Sequence, residues 1–397
     1  MKNKVIFLVT IIIIIIMIIF NQTHKKSNQL SSFEKMEDFN IIYENIKSGY
    51  PYLGIDDNSK EWIENKDKYI KRIKLTKNDN DFVKELSEIV SELGNKHTEV
   101  IDNKKRYEMF KKSYSKKSEY DFLNDSRVID RYNKLTHNIK NYKVSFFKKE
   151  LTLKDIVNGK VGYIYIPSMT PQNGSISKDI DIIYNYLKER KNYDALILDI
   201  RGNKGGINKY WQSIVSKIID KDITINGYRF FKSDNNLIKG FTYSEKIKLN
   251  DINTLNINID KKIYEKFNSY ENTSYTIKSE NNLNFKGKIY LIIDKDIYSS
   301  SDFFAMFCKN TKFATLIGEE TSGDGGVLDP VLFKLPNSDL VIRMCSCMYL
   351  NKDSSFNKNF KTTPHFKVNA KRTKDFRNDK CIIKVLELEG IDKDNIL

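Results

Sequence analysis

The chain has 397 residues, of which 40% are hydrophobic and 12% aromatic, and it carries only 17 glycines and 6 prolines. This composition excludes disordered, fibrous and low-complexity classes, and at roughly 150 residues per domain it predicts two or three folded units. The formal charge is +15. Because no arginine-rich helix, RNA-binding motif or zinc-finger spacing concentrates that charge, we expect no nucleic-acid partner.

The first twenty residues form a strongly apolar segment. Lysines precede an apolar run from Val5 to Phe20 that contains a single polar residue, Thr10, and no A-x-A-like cleavage motif follows it. This pattern favours an uncleaved signal-anchor or transmembrane segment over residues 1–20, followed by a polar tether over 21–32. The cationic start predicts a single-pass protein of the cytoplasmic membrane with its body on the extracytoplasmic side, or a secreted protein if the segment is cleaved.

A helical pattern dominates residues 33–158, which we interpret as a mainly helical N-terminal subdomain. In "DFVKELSEIVSELG" the apolar residues share one face, and Gly94 is placed to end that helix. His97 follows directly after this end. Residues 101–158 are charged with scattered aromatics and are interpreted only as a mixed connecting region.

Strands alternate with helices from Gly159 onward. Strands are predicted in "GYIYIPSM", "YDALILDI", "GKIYLIID" and "FATLIG", and helices in "ISKDIDIIYNYLKER", in "KYWQSIVSKIID", after the three serines and in "CIIKVLELEG". The turn residues of "LPNSDL" predict a hairpin. Residues 159–397 therefore form an α/β core, with an insertion at about 221–286 that is rich in Asn, Lys and Ser.

Three serines, Ser299, Ser300 and Ser301, stand where "GKIYLIID" is followed by a predicted helix. A turn residue at such a junction lies beside free helix N–H groups and the positive end of the helix dipole, which suits a nucleophile whose reaction forms an oxyanion. Serines and Asp302 at a helix start are also explained as capping residues. The local sequence leaves both interpretations open.

A glycine-rich turn follows the strand "YDALILDI". Gly202, Gly205 and Gly206 come after Arg201 and indicate backbone that must approach another group closely. The spacing matches neither the P-loop nor the dinucleotide-binding pattern. These glycine amides could complete an oxyanion hole, or the glycines could only turn a corner.

Histidine is the side chain best suited to activate a serine at neutral pH. The chain contains only His24, His97, His137 and His365. His97 is the candidate base because it follows a well-formed helix, although a histidine at that position is also typical of a capping or surface residue.

The four cysteines have neither the spacing of a metal site nor that of a disulfide framework. Cys345 and Cys347 alternate in "VIRMCSCMYL", which predicts small buried side chains on one face of a strand. The aspartates of "SGDGGVLD" and "IDKDN" lack EF-hand spacing. We therefore expect no metal and no cofactor.

Taken in order, these elements resemble the tail-specific or carboxyl-terminal processing serine peptidases, peptidase family S41. The stretch "LGNKHTEV" resembles that family's "DGHT" element, "YDALILDIRGNKGG" its "LILDLRGNPGG", and "IIDKDIYSSSDFFAMFCKN" its serine motif; "ATLIGEETSGDGG" and "LFKLPNSDLVIRM" resemble later elements, so the resemblance covers about residues 80–370. It implies an α/β fold with a helical N-terminal subdomain and a crotonase/ClpP-like spiral ββα core with a mixed sheet. It also implies a hydrolase that acts on peptides or proteins.

Carried over by position, the resemblance implies that Ser299 is the nucleophile. The Ser300 N–H and a glycine N–H, from Gly205 or Gly206, would then bind the oxyanion. Ser301 and Asp302 would only start the helix.

The resemblance also distinguishes two branches by their base. Processing peptidases use a lysine in "FGKG", and Asp324 stands at that position here. The tricorn-like branch uses the histidine of the "HT" element, which is His97. That branch has no PDZ domain, and the interval from His97 to Gly159 is too short to hold one.

The acidic residue of the tricorn-like branch is missing from its expected position. Its members carry a glutamate about six residues before a Pro-Asp pair, and here Lys358 precedes Pro364 and His365. Since a carboxylate that orients the histidine contributes strongly to serine-protease rates, activity could be reduced. Asp324, Asp353, Asn357 and Asn359 are the candidates for the third member.

Three functions remain open from the sequence. The first is a membrane-anchored serine endopeptidase with a Ser-His site. The second is a catalytically weakened relative that binds peptides or proteins at the cell surface, and the third is a purely structural surface protein. The substrate and the oligomeric state are not predicted.

Overall fold

The computed structural model describes residues 29–55, 57–135, 150–280, 283, 285–352 and 361–397. These group into two compact units: the first holds residues 29–47, 57–135 and 332–344, and the second holds the described residues of 48–55, 150–331 and 345–397. Within the described ranges, no helix is both long and apolar enough to cross a membrane. The predicted signal-anchor, residues 1–20, lies outside them.

The helices and strands of the described residues are numbered in chain order. The helices are α1 (Ser32–Gly49), α2 (Asp57–Glu64), α3 (Lys66–Lys74), α4 (Asp79–Ser91), α5 (Lys104–Tyr114), α6 (Ser126–Lys134), α7 (Ile176–Glu189), α8 (Asn208–Ile218), α9 (Asn236–Ser244), α10 (Lys261–Tyr264), α11 (Ser300–Thr311) and α12 (Lys380–Glu389). The strands are β1 (Glu99–Val100), β2 (Thr152–Val157), β3 (Val161–Tyr165), β4 (Ala195–Asp199), β5 (Ile223–Phe231), β6 (Asn250–Asp251), β7 (Ser269–Ile277), β8 (Lys288–Ile293), β9 (Thr315–Gly318), β10 (Val331–Lys334), β11 (Val341–Met344), β12 (Met348–Asn351) and β13 (Phe366–Lys367).

The first unit is mainly helical. The Asn78 side chain begins α4 by accepting a hydrogen bond from the Asp81 N–H. The helix ends at Ser91, and Gly94 takes a left-handed φ of 70° shortly after it, so the predicted helix and its stop are confirmed. Strand β1 then pairs antiparallel with β11, which lies beside β10, and the predicted hairpin at "LPNSDL" is confirmed.

A six-stranded mixed sheet forms the second unit's core, in the order β13-β9-β8-β4-β3-β2. Its neighbours are parallel except for β2 and β3, which confirms the α/β class. Successive side chains of a strand point to opposite faces. Accordingly Leu196 and Leu198 pack in one apolar cluster and Ile197 in the other, on the side of α12.

Helix α11 is held in this core by its aromatic face. Phe303, Phe304 and Phe307 are buried, and all three rings contact Trp211 of α8. Burying such large rings stabilises a fold by several kcal/mol in total. The start of α11, which carries the three serines, therefore has a fixed position at the end of β8.

The region 221–286 is built into the second unit rather than looped out from it. Strands β5 and β7 pair over nine residues, and β12, from much later in the chain, pairs with β5. The predicted single strand through Cys345 and Cys347 is wrong, because β11 ends at Met344 and β12 begins at Met348, in a different sheet. Both cysteines are nevertheless buried, as predicted.

Candidate active site

Ser299 occupies the tight turn between β8 and α11, with φ 61° and ψ −131°. A positive φ is uncommon for a residue other than glycine, and such conformations persist only where surrounding contacts enforce them. Here the Ser299 N–H donates to the Gly323 carbonyl at 3.0 Å, and the Ser299 carbonyl accepts from the Phe303 N–H at 2.9 Å. The half-buried side chain makes no capping hydrogen bond, so its hydroxyl is not used to start the helix.

The two serines that follow differ from Ser299 and from each other. Ser301 is buried, and its hydroxyl donates to Asn203 Oδ1 at 2.6 Å. Ser300 is also buried, and among the described residues its hydroxyl has no hydrogen-bond partner. Its N–H has no acceptor there either, as expected for the first amide of a helix. Ser300 therefore offers the site its N–H.

The glycine-rich turn packs directly against the serine turn. A Cβ atom added at Gly205 would lie 2.9 Å from the Tyr298 carbonyl oxygen and 3.1 Å from the Ser300 nitrogen. The Gly205 N–H donates to Asn203 Oδ1 at 3.0 Å. Over the described part of the chain, the Gly206 N–H has no acceptor. Gly205 and Gly206 were the two candidates for the glycine donor of the oxyanion hole. Of these, Gly206 is the one whose N–H makes no hydrogen bond to the described residues.

Arg201, which precedes these glycines, is a structural residue. Its guanidinium is buried and pairs with Asp199 at 2.6 Å and with Asp379 at 2.8 Å. Asp379 is also the N-cap of α12. The arginine therefore ties the end of β4 to the last helix, and its charge is already satisfied by carboxylates.

Asp302 fixes the loop 321–326 against the start of α11. Its carboxylate accepts hydrogen bonds from the Thr321 hydroxyl at 2.5 Å and from the Gly325 N–H at 2.9 Å. Burial raises the pKa of Asp302 to about 6, although the hydrogen bonds from Thr321 and Thr362 act to lower it. This role goes beyond the helix-start residue that the sequence predicted.

Asp324 lies on the same loop, between Gly323, whose carbonyl binds Ser299, and Gly325. It is buried with φ 62°, and its side chain hydrogen-bonds with Tyr52. Burial, and then the neighbouring Asp324, raise the pKa of Tyr52 well above its usual value. The other third-member candidates, Asp353, Asn357 and Asn359, lie outside the described residues, as does Lys358.

Three contact residues of this site were assigned no role from the sequence. Tyr52 belongs to a short segment far away in the chain. Asn203 lies in the matched "RGNKGG" turn, but only the glycines of that turn were proposed as site residues. Arg229 comes from the region 221–286, and its Nε donates to the Gly326 carbonyl at 2.9 Å while Nη1 pairs with Glu271 at 2.9 Å. The sequence alone did not predict these contacts, because each of the three residues binds a residue that is distant in the chain.

His97 lies in the first unit, on the turn between α4 and β1. It is 4% exposed, and its N–H donates to Asn95 Oδ1 at 2.9 Å. The turn is steadied by Arg343 of β11, whose Nη1 pairs with Glu99 at 2.6 Å. Burial is inconsistent with the surface-residue interpretation, and the assignment of His97 as base stays a prediction.

The remaining histidines are weaker candidates. His365 Nδ1 accepts a hydrogen bond from the Leu316 N–H at 2.9 Å, which anchors it beside β9. His24 and His137 lie outside the described residues. Within the second unit the structure thus brings together Ser299, Ser300, the glycine turn and the Asp324 loop.

A strained serine at a strand-helix junction, flanked by two N–H groups that have no acceptor among the described residues, is an arrangement suited to acyl transfer. The family model described as "Peptidase family S41" matches residues 160–368, more than half of the chain. The chain therefore belongs to peptidase family S41 and is a serine peptidase.

Two solved structures have a similar fold. A protein of Parabacteroides merdae described as a candidate peptidase has a TM-score of 0.59 and 16% identity, covering 90% of this chain and 97% of its own. Mature CPAF complexed with lactacystin has a TM-score of 0.56 and 11% identity, covering 85% of this chain and 94% of its own. At these identities the likeness concerns the fold. A search of curated protein sequences found no match.

Replacing Gly205 with alanine should lower kcat/KM for peptide hydrolysis by about 100-fold or more, because the methyl group would collide with the serine turn and cover the Ser300 nitrogen. Gly202→Ala is the matched control: Gly202 also has a positive φ, 74°, but a Cβ there meets nothing within 4 Å. It should cost about 1 kcal/mol of stability and little activity. Steady-state kinetics and thermal unfolding of both variants test this, and equal activity losses would contradict it.

The raised pKa of Asp302 predicts a pH-dependent stability. A carboxyl whose pKa is 3.8 in the unfolded chain and about 6 when folded holds its proton more tightly in the native state. Its contribution to stability is therefore lost as pH rises from about 4 through 6, by up to about 3 kcal/mol. Asp302→Asn cannot titrate; its amide oxygen can still accept from the Gly325 N–H, and its NH2 group can donate to the Thr321 hydroxyl oxygen. The free energy of unfolding of this variant, relative to wild type, should rise between pH 4 and pH 7; a constant difference would contradict the assignment.

Proposed function

We propose that the protein is a membrane-anchored serine endopeptidase of the tricorn-like branch, with Ser299 as nucleophile and His97 as base. The observation that carries the proposal is the strained Ser299 backbone, which presents a hydroxyl that does not cap the helix. A side chain held at a sharp strand-to-helix turn is typical of a nucleophile elbow.

In the proposed mechanism the Ser299 oxygen attacks the carbonyl carbon of the peptide bond. His97 accepts the hydroxyl proton, and the developing oxyanion accepts hydrogen bonds from the Ser300 and Gly206 N–H groups. Collapse of this intermediate breaks the C–N bond, and His97 returns the proton to the leaving amine. Water, activated by the same histidine, then hydrolyses the ester and releases Ser299.

Asp324 is the proposed third member of the site. It is the one candidate carboxylate on the loop whose Gly323 carbonyl binds the Ser299 N–H. Its hydrogen bond with Tyr52 would hold it in one orientation. A carboxylate that orients histidine and stabilises its charged form raises the rate of such sites.

The location and the substrate class are proposed from the sequence. Residues 1–20 would anchor the protein in the cytoplasmic membrane and place its body on the extracytoplasmic side. Peptides or proteins exposed there would be the substrates. One structural neighbour, CPAF, was solved with lactacystin bound, so lactacystin is a reasonable first inhibitor to test.

Hydrolysis of an unfolded protein by the purified full-length chain tests the proposal, with Lys358→Glu as the informative variant. Lys358 stands where tricorn-like members carry glutamate, which favours the weakened, peptide-binding relative as second candidate. Cleavage by wild type that changes less than about threefold in Lys358→Glu supports the endopeptidase. An inactive wild type with an active Lys358→Glu variant supports the weakened relative. No cleavage by either would contradict the proposal.

A further inference from the structure

We propose that Asn203 is a positioning residue that fixes the two oxyanion-binding N–H groups, those of Ser300 and Gly206, relative to each other. The inference rests on the proposed function and deepens it, because Asn203 acts on the two elements that carry those amides. Asn203 itself does not touch the substrate. It is fully buried behind the glycine turn, with an exposed fraction of 0%.

One oxygen atom of Asn203 joins the two elements. Asn203 Oδ1 accepts a hydrogen bond from the Ser301 hydroxyl at 2.6 Å and another from the Gly205 N–H at 3.0 Å. Ser301 directly follows Ser300, and Gly205 directly precedes Gly206. The two proposed oxyanion donors are therefore each one residue away from a group bound to the same atom.

The other end of the Asn203 amide is fixed to the sheet. Its Nδ2 donates to the Ile166 carbonyl at 3.0 Å, and the Ile166 N–H donates to the Asp199 carbonyl at 2.9 Å. An amide with two donors on its oxygen and an acceptor on its nitrogen has a single satisfied orientation. The position of Oδ1 is thus set by Ile166, the residue after β3, which is itself bound to the end of β4.

A neutral amide suits this position chemically. A buried carboxylate there would place a negative charge beside a developing oxyanion, whereas the amide oxygen only orients the donors. Because both contacts share one atom, losing either should move one donor relative to the other. The expected result is weaker binding of the transition state with little change in binding of the substrate.

The test compares Ser301→Ala, Asn203→Leu and the double variant of the full-length protein in peptide hydrolysis. Each single change should lower kcat by about 10- to 100-fold with KM within about threefold, and the double variant should lose at most about threefold more than the worse single variant. Ser216→Ala is the matched control, because Ser216 is also a buried helix serine, and its hydroxyl donates to the Ser213 carbonyl within α8. It should leave kcat within about twofold.

A merely structural role would lower the melting temperature of the variants without changing kcat of the folded fraction. That outcome, additive losses, or a rise in KM alone would overturn the inference. If Asn203→Leu does not fold, the kcat and KM of Ser301→Ala alone test the inference, because that change removes only the hydroxyl that binds Asn203. Activity that is lost in Ser299→Ala but intact in Ser301→Ala would overturn the role of Asn203 and leave the proposed function standing. Activity that persists in Ser299→Ala would overturn both.

Discussion

Replacing Ser299 with alanine should lower kcat for peptide hydrolysis by about 10⁴-fold or more, with the fold intact. Alanine removes the attacking oxygen, and the remaining amides can only bind the carbonyl. The Ser299 side chain makes no capping hydrogen bond, so its loss should cost the helix little. Thermal unfolding should therefore show a melting temperature close to that of the wild type.

Ser300→Ala is the matched control for this prediction. It makes the same change one residue later, where the proposed role belongs to the backbone N–H. The Ser300 hydroxyl has no hydrogen-bond partner among the described residues, so alanine should change kcat by less than about threefold. If Ser300→Ala were the inactive variant and Ser299→Ala the active one, the nucleophile would be misassigned.

Replacing His97 with alanine should lower kcat by about 10²- to 10⁴-fold, the range expected for loss of a general base. The serine hydroxyl would then have to lose its proton to water. His97 is buried, so the variant's folding must be checked by circular dichroism and thermal unfolding before kinetics.

His365→Ala serves as the control for His97→Ala. His365 binds the Leu316 N–H through Nδ1, so its loss should reduce stability by about 1 kcal/mol and leave kcat nearly unchanged. A His97→Ala variant that folds and keeps at least a tenth of wild-type kcat would contradict the role of His97.

Most of the core could be predicted from the sequence because its elements have strong local signals. The strand β4 is an apolar run up to its last residue, Asp199, and α7 and α12 have clear helical periodicity with polar caps. The exchange between sheets at Cys345 and Cys347 could not be predicted, since the alternation continues through residues that leave one sheet and join another. Periodicity reports which side chains are buried, not which strand they pair with.

In the candidate site, too, features with a local signal could be predicted and long-range contacts could not. Ser299 could be singled out from its place at a strand-helix junction and from the family resemblance. The contacts of Asn203 and Asp302 could not be predicted, because Asn203 binds a serine 98 residues away and Asp302 binds a loop 19 to 23 residues later. Nor could the sequence decide between Gly205 and Gly206, since only the fold shows that the Gly205 N–H is engaged by Asn203.

The central claim, that Ser299 is an activated nucleophile, is tested most directly by a fluorophosphonate probe. The purified full-length protein would be labelled, and the modified residue identified by mass spectrometry of its peptides. We predict one adduct, on Ser299, that is absent from Ser299→Ala and retained in Ser300→Ala. Equal labelling of wild type and Ser299→Ala would contradict the account.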